Sequence, residues 1–213
     1  MQKIWKLCQQ GAILTNELCK AKNYFLGYLM DFTEKRIDGK TMYSGVIVDV
    51  TLDNAELVNG MKVKREVVHH PGGVTVLPVN SEGYCYCVRQ FRYPFGRMML
   101  EAPAGKLEDG ENHLECAARE LSEETGFTAD EFIYLGPSCA SPGYSTEVLH
   151  IYLALGLHAG ESHPDEGELL NVEKHHIDEL YELVMNGEID DAKTIIAVLK
   201  AKNVLEARKR KYI

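Results

Sequence analysis

The sequence predicts a chain of mixed α/β or α+β class, and three observations carry that reading. Short runs rich in β-branched residues recur from Tyr43 onward, stretches with helical apolar spacing stand between and after them, and glycine-bearing turns punctuate both. In chain order, Gly45 to Leu52 predicts a strand, Val58-Asn59-Gly60-Met61 a turn, and Lys62 to Val68 a second strand, together a small antiparallel sheet. After His69-His70-Pro71-Gly72-Gly73, the runs Val74 to Val79 and Tyr84 to Phe91 flank the turn Asn80-Ser81-Glu82-Gly83 and predict a central hairpin. Further strands are expected at Met98 to Glu101, Phe132 to Leu135 and Val148 to Leu155. A helix is expected from Asn112 to Thr125, stopped by Gly126 where a left-handed cap favours glycine. Two more helices follow from Ile177, Leu180, Leu183 and Val184 before Gly187, and from Ala192, Ile195, Ile196 and Leu199. Residues 1 to 29 have no clean period and read as a helical extension or a tail. The expected organisation is an extension over 1–40, a small β-sheet subdomain over 41–70 and the main domain over 71–213.

With 213 residues, the chain suits one globular domain with a small accessory part. Lys and Arg number 23 against 32 Asp and Glu, and the net charge of −9 repels a polyanion, so nucleic acid is not an expected partner. No apolar run reaches the roughly 18 residues that span a bilayer, so no membrane partner is expected and the expected location is the cytoplasm. The six cysteines show no CxxC spacing, and Cys85 and Cys87 fall on one face of a strand, which predicts reduced structural thiols. The doublets His69-His70 and His175-His176 lack a third ligand at zinc spacing and are expected in loop packing or solvent. The basic end Arg208 to Lys211 reads as a solvated helix terminus.

The chemistry concentrates in the helix after Gly105. Leu114, Ala117, Ala118 and Leu121 follow the i, i+3, i+4, i+7 rule and define an apolar stripe. At about 100° per residue, Glu120 and Glu124 lie roughly 40° apart on a flank about 90° from that stripe, with Glu123 further round. Like charges four residues apart destabilise a helix and call for a compensating cation. Arg119 can reach Glu115 and Glu123 and would orient Glu123. Oxygen-only donors suit Mg²⁺ or Mn²⁺, which retain waters and bridge to phosphates, so the pattern points to phosphate-ester or pyrophosphate chemistry.

The full frame, Gly105 with Glu111 six residues on, then Arg119-Glu120-Leu121-Ser122-Glu123-Glu124-Thr125-Gly126-Phe127, resembles the Nudix box at every defining position. The resemblance implies an α/β/α sandwich around a mixed sheet, with the small N-terminal antiparallel sheet added, and hydrolysis of a nucleoside diphosphate linked to another moiety. It implies that Glu120, Glu124 and the Ala104 carbonyl bind metal, that Glu111 supports the loop and helix, and that Arg119 and Glu123 serve the catalytic helix. Gly105 would let the loop curl against the helix where a side chain is hard to fit.

Beyond the box, from about Tyr43 to Leu199, the chain looks most like the ADP-ribose pyrophosphatases. Four segments carry this: Arg65 to Gly72, Val88 to Pro94, Leu100 to Gly105 and Ala140 to Glu147, with Pro142 fifteen residues after Phe127. Gly187 to Thr194 is similar to these enzymes as well. The implied substrate-binding residues are Arg65, Arg92, Arg89, Glu101, Pro142, Gly143 and Glu147; Arg89 also reads as a strand residue paired with a surface acid. Tyr43, Phe91, Tyr93 and Tyr144 all remain candidates to stack on adenine. In the loop His163 to Leu170, the resemblance makes Glu166 the general base and Glu168 a further metal ligand, two roles that could be exchanged. The implied reaction is Mg²⁺-dependent cleavage of ADP-ribose to AMP and ribose 5-phosphate, with Mn²⁺ able to substitute, in a homodimer that exchanges its N-terminal sheet. The alternatives are another ADP-sugar, a dinucleotide polyphosphate or an oxidised nucleotide as substrate, or a sensor that binds ADP-ribose without cutting it.

Overall fold

The computed structural model describes residues 31–164, 167 and 169–211. The extension over residues 1–29, Cys8, Cys19, and the loop residues Glu166 and Glu168 therefore lie outside the described residues. Strands β1 (Lys35–Ser44), β2 (Asp49–Glu56) and β3 (Lys62–His69) form a three-stranded sheet in that order. The sheet thus starts at Lys35, inside the segment read as extension. The run Gly45 to Val48, expected to open a strand, is instead the connection between β1 and β2: the Gly45 N–H donates to the Val48 carbonyl at 3.0 Å, which closes a tight turn and leaves Val46 and Ile47 exposed despite their β-branched side chains.

The described residues divide into two compact units, 31–39 with 53–65 and 40–52 with 66–211. In the first, Arg36 pairs with Asp53 at 2.8 Å and Arg65 with Glu34 at 2.7 Å. The second holds β4 (Gly73–Pro78), β5 (Tyr84–Arg92), β6 (Arg97–Glu101), β7 (Ala104–Lys106), α1 (His113–Thr125), β8 (Phe127–Cys139), β9 (Val148–Ala159), β10 (Leu170–His176), α2 (Ile177–Met185) and α3 (Ala192–Lys211). Its main sheet runs β7-β4-β9-β8, with β4 and β9 parallel and the outer pairs antiparallel. A second sheet, β10-β5-β6, is antiparallel throughout.

Side-chain alternation along β4 and β9 builds a core on each face of the main sheet. Val74, Val76, Tyr152 and Ala154 meet Cys116, Ala117 and Leu121 of α1 on one side. Leu77, Ile151 and Leu153 meet Leu180 of α2 and Ala197 and Val198 of α3 on the other. The α/β/α sandwich follows, and it explains why β4 is buried at all six positions: a strand covered on both faces reads as a continuous apolar run. The expected β4–β5 hairpin does not form. The turn is present, with the Asn80 N–H donating to the Tyr84 carbonyl at 2.9 Å, but beyond the single bridge Val79–Cys85 the strands part into different sheets. Sequence adjacency suggested pairing, whereas burial of β4 on both faces favours its parallel partner β9.

Helix α1 keeps its predicted ends. The Asn112 side chain accepts from the Leu114 N–H at 2.8 Å, and Gly126 closes the helix at φ +74°, where an added Cβ would lie 2.8 Å from the Gly160 carbonyl oxygen. Its buried face differs from the expected one. Leu114 and Ala118 are exposed, and the buried residues are Cys116, Ala117, Glu120, Leu121, Glu124 and Thr125. The stripe is rotated because the helix packs on β7 as well as β4, which carries both glutamates into the interface.

The described cysteines are all free thiols, as predicted. Burial pushes Cys87 up to about 12, and likewise Cys116, so neither is thiolate at neutral pH. The histidine doublets serve local packing: the Gly72 N–H donates to His70 Nδ1 at 3.0 Å, His175 sits between Glu173 and Glu179, and His176 accepts from the Asp178 N–H at the start of α2.

Candidate active site

The site is built where β7 lies against α1. Ala104 and Gly105 turn their backbone toward the helix, and the Ala104 N–H donates to Glu124 Oε2 at 3.1 Å. Gly105 is required by contact rather than by its dihedral angles: a Cβ there would stand 1.8 Å from Glu120 Oε1 and 1.9 Å from its Cδ. The two carboxylates of one helical face are thus seated against two residues of one strand. Glu124 is 2% exposed and Glu120 8%.

Arg119 is the electrostatic centre of the helix. Its Nε donates to Glu111 Oε1 at 2.8 Å, and its Nη1 donates to Glu120 Oε1 and to Glu123 Oε2, each at 2.8 Å. It also reaches the Lys106 carbonyl at 3.3 Å. The expected partner Glu115 is replaced by Glu111, because the loop before the helix folds back and offers a carboxylate that also accepts from the Glu108 N–H at 3.0 Å. The guanidinium therefore fixes Glu120 in position and ties loop to helix.

Bonding to Arg119 holds Glu111 down to about 2, from an ordinary 4.5. A carboxylate depressed by folding stabilises the native state fully above its unfolded value, and that contribution disappears as pH falls from about 4.5 toward 2. Acid unfolding of the wild type should accordingly lose stability more steeply across that window than Glu111→Gln, followed by circular dichroism. Parallel curves for the two proteins would remove Glu111 from the acid response.

A second network backs the cleft. Burial alone would raise the carboxyl of Glu101, which is 1% exposed, but Arg92 and Lys193 outweigh it and hold the group below its ordinary value. Arg92 grips both oxygens of Glu101 at 2.7 Å, and Lys193 Nζ bonds the same carboxylate and lies 3.0 Å from Asp191. Asp191 in turn accepts from the Thr194 N–H at 3.0 Å in the first turn of α3, and the Thr194 hydroxyl accepts from the Ala102 N–H at 2.8 Å. Three clefts of about 320, 1020 and 490 Å³ open here, and they share His70 and Lys106 as lining residues. Arg92 and Ala104 line the first two, Glu147 the first, and Glu111, Arg119 and Glu120 the second.

The described residues contain no ready-made cage of three His, Cys, Asp or Glu side chains. What they offer is two carboxylates from one helix face beside the Ala104 backbone. An incomplete, all-oxygen set of this kind fits a hard divalent cation that keeps waters and takes further oxygens from a phosphate ligand.

The NUDIX domain profile matches residues 69–198, which contain β4 to β10, α1, α2 and the start of α3. The chain belongs to the Nudix family. It is 41% identical over 180 residues to an ADP-ribose pyrophosphatase of Bacillus subtilis (strain 168), spanning 83% of this chain and 97% of the relative. It is 39% identical over 169 residues to a methanol dehydrogenase activator of Bacillus methanolicus, spanning 78% and 91%. The crystal structure of an ADP compounds hydrolase shares the fold, with a TM-score of 0.75, 21% identity and coverage of 85% of this chain and all of that one.

Within the Nudix box, Gly105 stands on β7, Glu111 on the loop after it, Arg119, Glu120, Glu123 and Glu124 on α1 and Gly126 at its end, and the first six come together around β7 and Arg119. Outside the box the picture is mixed. Arg92, Glu101 and Glu147 stand at the cleft or directly behind it. Pro142 and Gly143 are exposed on their loop and do not line these clefts. Arg89 lines a separate small pocket and bonds Glu173 at 3.0 Å, which is the strand-residue alternative for it. Arg65 belongs to the other unit, where it pairs with Glu34. Tyr43, Phe91, Tyr93 and Tyr144 are all exposed, so burial does not choose among them. Sequence reasoning gave no role to Lys193 or Asp191; the signal available was the Asp191-x-x-Thr194 spacing of a helix N-terminus.

Proposed function

We propose that the chain hydrolyses the pyrophosphate bond of ADP-ribose, giving AMP and ribose 5-phosphate, with Mg²⁺ as the working metal and Mn²⁺ as a substitute. The observation that carries this is the intact acidic helix seated on Ala104–Gly105 in a chain 41% identical, over 83% of its length, to an ADP-ribose pyrophosphatase.

Glu120, Glu124 and the Ala104 carbonyl are the residues we assign to the metal, with Glu168 as a further ligand. Bound Mg²⁺ neutralises charge on the diphosphate and acidifies water. Arg119 and Glu123 keep Glu120 in register, and Glu101 keeps the Arg92 guanidinium turned toward the cleft for phosphate oxygens. Glu147 lines the same cleft and is assigned to the substrate, together with Pro142 and Gly143 of its loop, while Arg65 is assigned to the substrate across the interface of the proposed homodimer. Glu166 takes the proton as water oxygen bonds to phosphorus and the bridging P–O bond breaks, the second phosphate leaving as a monoester. Strand β1 is exposed along all ten residues, which supports a homodimer joined through the N-terminal sheet. The free thiols of Cys85, Cys87, Cys116 and Cys139 fit a cytoplasmic location, and among the described residues no helix is long and apolar enough to cross a membrane.

Phosphorus NMR of ADP-ribose incubated with the protein and Mg²⁺ tests the reading. The diphosphate resonances should give way to two monoester signals in equal amount. Unchanged diphosphate, or release of inorganic phosphate alone, contradicts it.

A further inference from the structure

The clefts beside the acidic helix hold four cationic side chains, and three of them are already neutralised. Arg92 is bound to Glu101, Lys193 to Glu101 and Asp191, and Arg119 to Glu111, Glu120 and Glu123. The fourth, Lys106, is a lining residue of all three clefts and, among the described residues, its ammonium has no hydrogen-bond or ion-pair partner. Its backbone is nonetheless fixed: Lys106 pairs with Gly73 across β7 and β4, and its carbonyl accepts from Arg119 at 3.3 Å and from the Cys116 thiol at 3.5 Å.

Ala104, Gly105 and Lys106 all line the first two clefts, and Lys106 lines the third as well, which places it in the cleft that Glu120 and Arg119 also line. We infer that Lys106 binds the diphosphate of the substrate through its non-bridging oxygens, beside Arg92, as the described lysine or arginine of the clefts that no protein carboxylate already engages. This rests on the diphosphatase reading above and adds to it a residue outside the defining positions of the box. In a chain of net charge −9, one uncommitted ammonium at the cleft raises the local preference for an anionic ligand over a neutral sugar. Because the contact is available before any bond changes, it strengthens ground-state and transition-state binding alike and is read mainly in KM.

The test compares wild type, Lys106→Met and Lys106→Arg in two measurements. Calorimetric titration of metal-free protein with ADP-ribose should show binding weakened about tenfold in the Met variant and restored by Arg, with a smaller dependence on NaCl in the Met variant. Steady-state assays with Mg²⁺ should show KM raised by a similar factor and kcat within about threefold of wild type. Equal binding by wild type and Lys106→Met overturns the assignment of Lys106 and leaves the hydrolysis reading intact. Normal, lysine-dependent binding without turnover overturns the hydrolysis reading and leaves Lys106 in place. Failure of the wild type to bind ADP-ribose overturns both. A loss confined to kcat, with KM and salt dependence unchanged, would make Lys106 structural and also overturn the proposal.

Discussion

Glu124→Gln should reduce kcat by roughly 10²- to 10⁴-fold while leaving the fold intact, because the change removes one charge from the pair we assign to the metal. Glu124 is 2% exposed, and its Oε2 accepts from the Ala104 N–H at 3.1 Å, a bond that the glutamine oxygen can still accept. Shape and backbone contact are conserved, so thermal unfolding of the metal-free protein should move little. The stabilisation that Mg²⁺ gives the wild type should disappear, since a ligand stabilises only in proportion to its binding to the native state. Turnover and thermal unfolding, each with and without Mg²⁺, are the measurements. Near-normal turnover at saturating Mg²⁺ would show that Glu124 is a buried structural acid.

Gly105→Ala should be the second most damaging change, for a steric reason. The new methyl group would sit 1.8 Å from Glu120 Oε1, and that carboxylate is not free to move aside: Arg119 Nη1 holds the same oxygen at 2.8 Å and is itself tied to Glu111 and Glu123. Relief requires moving either the carboxylate or strand β7, and both displace the oxygens we assign to the metal. Overpacking of this kind costs about 1–3 kcal/mol of stability, whereas a displacement near 1 Å at the reacting centre costs about 10²-fold in rate. The expected outcome is a protein that folds, unfolds a few degrees earlier and turns over at most about one hundredth as fast. Activity within twofold of wild type would mean that the position of Glu120 does not govern the reaction.

The local features of the site were legible in the sequence. Helix α1, its Asn112 cap and its Gly126 terminus follow from residue types at fixed offsets, and so does the closeness of Glu120 and Glu124. The face on which those glutamates lie was not legible. Periodicity favoured Leu114 and Ala118 as core, yet burial is decided by what packs opposite, and β7 brings polar backbone to the helix where an apolar stripe was expected. The β4–β5 hairpin failed for a related reason: a turn fixes the direction of the chain, while the partner of a strand is chosen by the whole sheet. The Arg92–Glu101–Lys193 network was out of reach because it joins positions 92 residues apart, and local patterns carry no such information. Arg119 lay between the two cases. Its helical neighbour Glu123 was predicted, but Glu111 wins over Glu115 through a loop closure that spacing on a helix cannot express.

We assign the carboxylates seated on Ala104–Gly105 to a metal-dependent diphosphatase selective for ADP-ribose. Phosphate release, after coupling to a phosphatase, from ADP-ribose, ADP-glucose, GDP-mannose, NADH, diadenosine polyphosphates and 8-oxo-dGTP, each with and without Mg²⁺, tests this. Turnover is expected only with Mg²⁺, with the highest kcat/KM on ADP-ribose. Metal-independent turnover, or a higher kcat/KM on any other member of the panel, would contradict it.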